Sequence, residues 1–250
     1  MAQFETVFRE ERFYCNHFFR LLCEGLSDRS GDSGLSKVLG LLSLPTQPID
    51  AIEAAEVYTE VAAFRDVFFV NSAKDDFLEK LFDQFHPMLL AQYGTLVGNA
   101  QRPGKLRTRI GTIHPSKYAD LVDEPEFDKC DVLFYREFGA LFNAKPDFLI
   151  LLPGQAIWIE AKCSSAFSTS QIQRMRHIGA LCATDLFAEY FGHRQPTIVL
   201  LGSKLRHAKA QRLEGTSFIS WQQCAGIAAE IFPAGPNDVT SRALAQVAAA

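Results

Sequence analysis

The sequence has few cysteines and no arrangement of them that builds a site. Cys15, Cys23, Cys130, Cys163, Cys182 and Cys224 stand singly, without a Cys-x-x-Cys pair. That excludes a zinc ribbon and reads as reduced, buried thiols of an intracellular protein. The six histidines are isolated, with no HExxH or HxH pattern, so a histidine metal centre is not expected. Walker A and GxGxxG loops are absent, which excludes a built-in nucleotide-driven motor. Neither charge dominates: 25 Lys and Arg stand against 29 Asp and Glu, a net charge of −4. A general polyanion binder is thereby excluded, and any nucleic-acid contact must come from a local basic surface. No apolar run approaches the ~20 residues of a membrane span. The opening MAQFETVFREERFY is charged and lacks the apolar core of a signal peptide, so a cytoplasmic location without membrane contact is expected.

Phenylalanine, by contrast, is abundant at 21 residues and recurs in apolar stripes, the mark of a well-filled core. Residues 4–25 read as an amphipathic helix on Phe4, Phe8, Cys15, Phe18 and Leu22, ended by DRSGDSG. Residues 35–44 suit a short helix and residues 49–64 another, while 64–71 fits a strand or a helix end. Ser72 reads as the cap of a helix carrying Phe77, Leu78, Leu81, Phe82 and Phe85, which Pro87 should kink or divide. RTRIGTI is compatible with a strand, the acidic stretch 118–131 with a loop, and VLFYREF (132–138) with a strand. Ser168 or Ser170 should cap one long helix through TSQIQRMRHIGALCATDLFAEYF. TIVLLG (197–202) suits a strand buried on both faces. A short basic helix (204–213), a strand (218–221), a helix (222–232) and a frayed tail complete the pattern. From residue 75 this order implies an α/β fold in three layers around a mixed β-sheet. The expected division is an N-terminal helical region (1–70), a core (71–233) and a C-terminal tail (234–250).

The chemistry is concentrated in KPDFLILLPGQAIWIEAK (145–162). Two apolar runs, Phe148–Leu152 and 156–159, are joined by the turn pair Pro153-Gly154, which makes them a hairpin. Strand alternation puts Trp158, Glu160 and Lys162 on one face and Ile157, Ile159 and Ala161 on the other. Asp147 stands at the start of the first strand, near the end of the pair that carries Glu160 and Lys162. Two neighbouring carboxylates raise one another's pKa, a conflict that a hard divalent cation removes. The Ala161 carbonyl could add a ligand. Lys162 would then orient or deprotonate water, or stabilise charge on the reacting phosphorus.

Pro146-Asp147, twelve intervening residues and Glu160-Ala161-Lys162, with the polar helix and buried strand that follow, resemble the PD-(D/E)XK nuclease superfamily across roughly residues 75–232. The resemblance implies a restriction-endonuclease-like core with the N-terminal helices as an addition. It implies a nuclease that uses Mg²⁺ or Mn²⁺ to hydrolyse phosphodiester bonds, in DNA rather than RNA, in the context of phage defence, mobile elements or repair. Asp147 and Glu160 would hold the metal and Lys162 would assist hydrolysis. A polar residue on the next helix is expected to join them, with Gln171 and Gln173 as candidates and Gln173 preferred. A further acid would come from an earlier helix, from Glu79 or its rival Glu11. Arg174, Arg176, Lys204 and Arg206, with Arg107 and Arg109 from an earlier segment, form two basic groups suited to phosphate contacts. The alternative is an inactive module on the same fold, whose N-terminal helices hold a partner or form a homodimer.

Overall fold

The computed structural model describes residues 11–26, 32–42, 44, 47–110, 113–121, 127–163, 166–203, 215–232 and 238–249; of residues 107–110, 119 and 121 it describes the backbone alone. The chain is α/β, with a five-stranded mixed sheet in the order β1-β2-β3-β4-β5. Its strands are β1 (Glu56–Thr59), β2 (Phe148–Leu152), β3 (Gln155–Ala161), β4 (Thr197–Gly202) and β5 (Thr216–Ser220). The first three are antiparallel, and β3, β4 and β5 run parallel. Among the described residues no helix is long and apolar enough to cross a membrane.

Two compact units divide the chain. The first comprises Met1–Val61, Pro146–Ile172 and Pro196–Ala250, and the second Ala62–Lys145 and Gln173–Gln195. In the first unit the sheet is joined by α1 (Glu11–Cys23), α2 (Gly34–Gly40) and α3 (Ile49–Glu53). From the C-terminal segment come helices Trp221–Ile231 and Val239–Ala249. One sheet face, with Phe148, Ile150, Leu152, Ile157, Ile159, Ala161, Val199, Leu201 and Ile219, shares a core with these helices. Leu149, Trp158, Glu160, Ile198 and Leu200 alternate onto the opposite face and are buried too. Near-continuous apolar β2, β3 and β4 sequences are what burial on both faces demands.

Phe18 sits at the centre of the first core. It is fully buried, edge-on to Phe148 at 5.0 Å and to Trp221 at 6.0 Å between ring centroids. Phe18→Ala is expected to cost about 3–5 kcal/mol, read as a lower urea midpoint, because the surrounding rings cannot collapse fully into the space left. At the α1–α2 corner, a Cβ on Gly34 would lie 1.8 Å from the Leu21 carbonyl oxygen, so only glycine permits this approach.

The second unit contains α4 (Ala63–Val70), α5 (Lys74–Tyr93), α6 (Pro103–Ile110), α7 (Tyr118–Leu121) and α8 (Lys129–Asn143). The helix α9 (Thr169–Cys182) begins in the first unit and continues into the second, followed there by the short α10 (Ala188–Phe191). Phenylalanines knit this unit: Phe134, Phe138 and Phe142 recur every four residues along α8, with centroids 5.5 and 5.8 Å apart. The two C-terminal helices of the first unit are α11 (Trp221–Ile231) and α12 (Val239–Ala249).

Several local expectations are corrected. VLFYREF is part of helix α8, not a strand, because Asp128 caps Cys130 N and the aromatic stripe has helical period. Residues of RTRIGTI up to Ile110 are helical in α6. The candidate helix 49–64 ends at Glu53 and gives way to the exposed edge strand β1. The segment 64–71 is the end of a helix, α4, with Asn71 as its extended cap residue. Ser72 is not a cap: α5 starts after Ala73, whose N–H is taken by Asn71 Oδ1 at 2.8 Å. Pro87 does not divide α5, since Pro87 and Asp83, the residue whose carbonyl it leaves without a donor, both face water. The long helix after Ser168 stops at Cys182; Thr184 turns its hydroxyl back to Leu181 O at 2.6 Å and across to Gln84 at 2.8 Å. The tail is no frayed end, because α12 packs Ala243, Leu244 and Val247 into the first core. Asp131 is not in a loop but buried in the first turn of α8, where it accepts from Gln101 N at 2.7 Å. The basic helix expected at 204–213 lies outside the described residues.

Candidate metal-dependent active site

Register places the acids. Phe148 pairs with Ile159 and Leu152 with Gln155, and Gly154 makes the tight turn at φ +84°. Continued one step, that register sets Asp147 opposite Glu160, with both side chains on the same face. Asp147 Oδ2 accepts the Ala161 N–H at 2.7 Å, which fixes the carboxylate against the end of β3. From the other side, the Asp147 carbonyl accepts Glu60 N–H at 3.2 Å.

Glu160 is buried, its side chain 3% exposed. Its Oε1 lies 2.6 Å from Lys162 Nζ and accepts a hydrogen bond from Gln171 Nε2. Lys162 Nζ also reaches Glu11 Oε1 at 3.1 Å, and Glu11 Oε2 accepts the Cys163 N–H at 3.4 Å. Asp147, Glu160, Lys162, Glu11 and Gln171 therefore gather at the C-terminal end of β3. The Ala161 carbonyl belongs to the same strand end.

The electrostatics are those of crowded anions. Burial, then the charge of Asp147, push the Glu160 carboxyl up to about 7, against the pull of Lys162 and Gln171. Burial likewise holds Asp147 above its ordinary range, although the Ala161 N–H and Lys162 draw it down, and Glu11 and Glu60 add to the rise. Burial alone would lower the Lys162 pKa; hydrogen bonding and charge from Glu160 and Glu11 outweigh it and raise the ammonium above its ordinary value. Lys162 is thus a cation and hydrogen-bond donor at neutral pH, not a base. The Cys15 thiol, one helical turn beyond Glu11, is raised first by burial and then by the charge of Asp147.

Other expected residues lie elsewhere. Gln173 faces His177, at 3.4 Å, and the glutamine that touches Glu160 is Gln171. Two residues are about 200° apart around a helix, so only one of them can face the strand end. Glu79 is in the second unit, its carboxylate taken by Gly104 N at 2.6 Å and Arg102 at 3.1 Å. Glu11, its rival, reaches Lys162. The Glu11–Lys162 contact spans most of the chain, and no local sequence signal identifies it.

Arg174 is partly buried and paired with Glu137 at 3.5 Å. Arg176 buries one guanidinium nitrogen that has no partner among the described residues. Arg107 and Arg109 lie on α6 with side chains outside the described set, as are Lys204 and Arg206.

Among the described residues no three of His, Cys, Asp and Glu converge as a ready-made metal centre. The donor chemistry nonetheless fits Mg²⁺, which is typically held by one or two carboxylates and completes its shell with water and phosphate oxygens. The charge of Asp147 raises the Glu160 carboxyl, a conflict between neighbouring acids that a divalent ion relieves. Comparisons with protein-family models, curated proteins and solved structures found no match for this chain.

Proposed function

We propose that the protein is a Mg²⁺- or Mn²⁺-dependent nuclease of PD-(D/E)XK type, hydrolysing phosphodiester bonds in DNA. The observation that carries the reading is the pairing of two carboxylates, half-buried Asp147 and buried Glu160, at one strand end with the Lys162 ammonium 2.6 Å from Glu160. A mixed sheet buried on both faces supports the corresponding three-layer architecture. Asp147, Glu160 and the Ala161 carbonyl would hold the ion. Bound there, a divalent cation supplies Lewis-acid polarisation of a phosphoryl oxygen and lowers the pKa of water.

The chain's own groups do the rest. The Ala161 N–H fixes Asp147, and Gln171 fixes Glu160 Oε1. Lys162, held protonated by Glu160 and Glu11, donates to the oxygens on which charge builds as the phosphodiester bond breaks.

Calorimetric titration with Mn²⁺ and cleavage of plasmid DNA in Mg²⁺ test this directly. Binding at one site is expected, with Asp147→Ala weakening it at least ~10-fold, the scale of one lost hard-ligand contact. Cleavage should disappear in EDTA. One observation favours a second reading: Glu11 and Gln171 already satisfy Lys162 and Glu160 as a structural ion-pair network would. The absence of metal-dependent heat, with no effect of Asp147→Ala, would establish that inactive module instead.

A further inference from the structure

Lys162 lies one residue beyond the end of β3, where a strand normally loses its lateral restraint. Here both peptide planes flanking its Cα are held. The N–H of the 161–162 peptide continues the parallel ladder to Leu201 O at 2.8 Å. The carbonyl of the 162–163 peptide accepts the indole N–H of Trp221 at 3.1 Å. The N–H of that same peptide, on Cys163, goes to Glu11 Oε2 at 3.4 Å. Fixing both planes fixes φ and ψ of Lys162 and so the direction of its Cα–Cβ bond.

Trp221 is itself immobilised. It is fully buried and is the first residue of α11, directly after Ser220. Ser220 and Gln223 form a reciprocal capping box, with Gln223 N–H donating to Ser220 Oγ at 3.2 Å and Ser220 N–H to Gln223 Oε1 at 2.9 Å. Phe18 packs edge-on to the indole and, on its other side, to Phe148, the residue after Asp147. The carrier of the ammonium and the strand that begins at the acid are therefore backed by one aromatic column.

We propose that Trp221 is a positioning residue: through its indole N–H it holds the Lys162–Cys163 peptide and thereby directs the Lys162 ammonium toward Glu160. The catalytic consequence rests on the nuclease reading; the positioning itself does not.

The test separates the two. Acylation of lysines by a succinimidyl acetate is followed residue by residue by mass spectrometry on the full chain, for the parent and for Trp221→Phe, which keeps an aromatic ring but removes the donor. Loss of one buried hydrogen bond should speed Lys162 labelling about tenfold, with exposed Lys80 and Lys117 unchanged. In the cleavage assay the same variant should lose about tenfold in kcat with KM for DNA unaltered, the signature of an interaction felt in the reacting state. Lys162 labelling as slow as in the parent would overturn the inference. If every lysine accelerates together, the fold has loosened, and the reading is taken with benzothienylalanine at position 221, which preserves the bicyclic shape and lacks the N–H. There Lys162 alone must accelerate for the inference to stand. A parent protein that cuts no DNA would remove the nuclease reading and leave the labelling result to judge the positioning.

Discussion

Lys162→Ala is expected to reduce Mg²⁺-dependent DNA cleavage by about 10²–10³-fold, the scale on which preorganised charge-stabilising groups act. The loss should fall on kcat, because Lys162 is half-buried, held by Glu160 and Glu11, and aimed at one point of the site. Lys162→Arg should recover only part of the rate: a planar guanidinium cannot place one compact charge 2.6 Å from Glu160 Oε1 while also reaching Glu11. The fold should survive in Lys162→Ala, since the orphaned Glu160 can keep a proton instead of carrying a buried unpaired charge. Single-turnover cleavage, with circular dichroism as the fold control, decides the matter. Full activity in the alanine variant would remove Lys162 from the chemistry.

In metal-free buffer the protein is expected to become less stable as pH rises from 5 to 8. The Glu160 carboxyl titrates near 7 in the folded chain against an ordinary value of 4.5. Between these values the folded state holds a proton that the unfolded chain has released, so the unfolded state is favoured as pH increases. Each pH unit of that gap is worth about 1.4 kcal/mol, and the accumulated loss above pH 7 is on the order of 3 kcal/mol. Asp147, raised by burial, acts in the same direction. Urea midpoints at several pH values in EDTA should show the decline, and Glu160→Gln should flatten most of it. Mg²⁺ added at pH 8 should restore stability by binding only the folded chain. A midpoint that climbs across this window would mean that the carboxylates are comfortably ionised without a cation, and the crowded-anion description would be wrong.

The hairpin was legible because its signals are local and redundant: a Pro-Gly turn, two apolar runs and strict alternation set Asp147 opposite Glu160. The burial of β4 was equally legible from TIVLLG, in which the four apolar residues 198–201 run unbroken up to Gly202. The failures share a cause. In α8 the aromatics that suit a strand also recur at helical spacing, and the cap that decides the matter, Asp128, lies in an acidic run that resembles a loop. β1 escaped because an exposed edge strand of Glu, Val, Tyr and Thr carries no alternation. Trp221 escaped, and Glu11 could be named only as a rival to Glu79, for a different reason: each meets Lys162 through folding of distant chain, and nothing in the neighbouring sequence encodes the meeting.

The pairing of β3 sets an order on how this site can be built during folding. Its antiparallel neighbour arrives through a turn of two residues, so Asp147 and Glu160 can meet within a rapidly formed local structure. Its parallel neighbour β4 arrives only after α9 and the segments beyond it have closed a long excursion, and closing such a loop is slow. Leu201, which anchors the Lys162 peptide, comes with β4, and Trp221 comes later still in the chain. By this topology Asp147 and Glu160 can meet before the groups that hold the Lys162 peptide are in place.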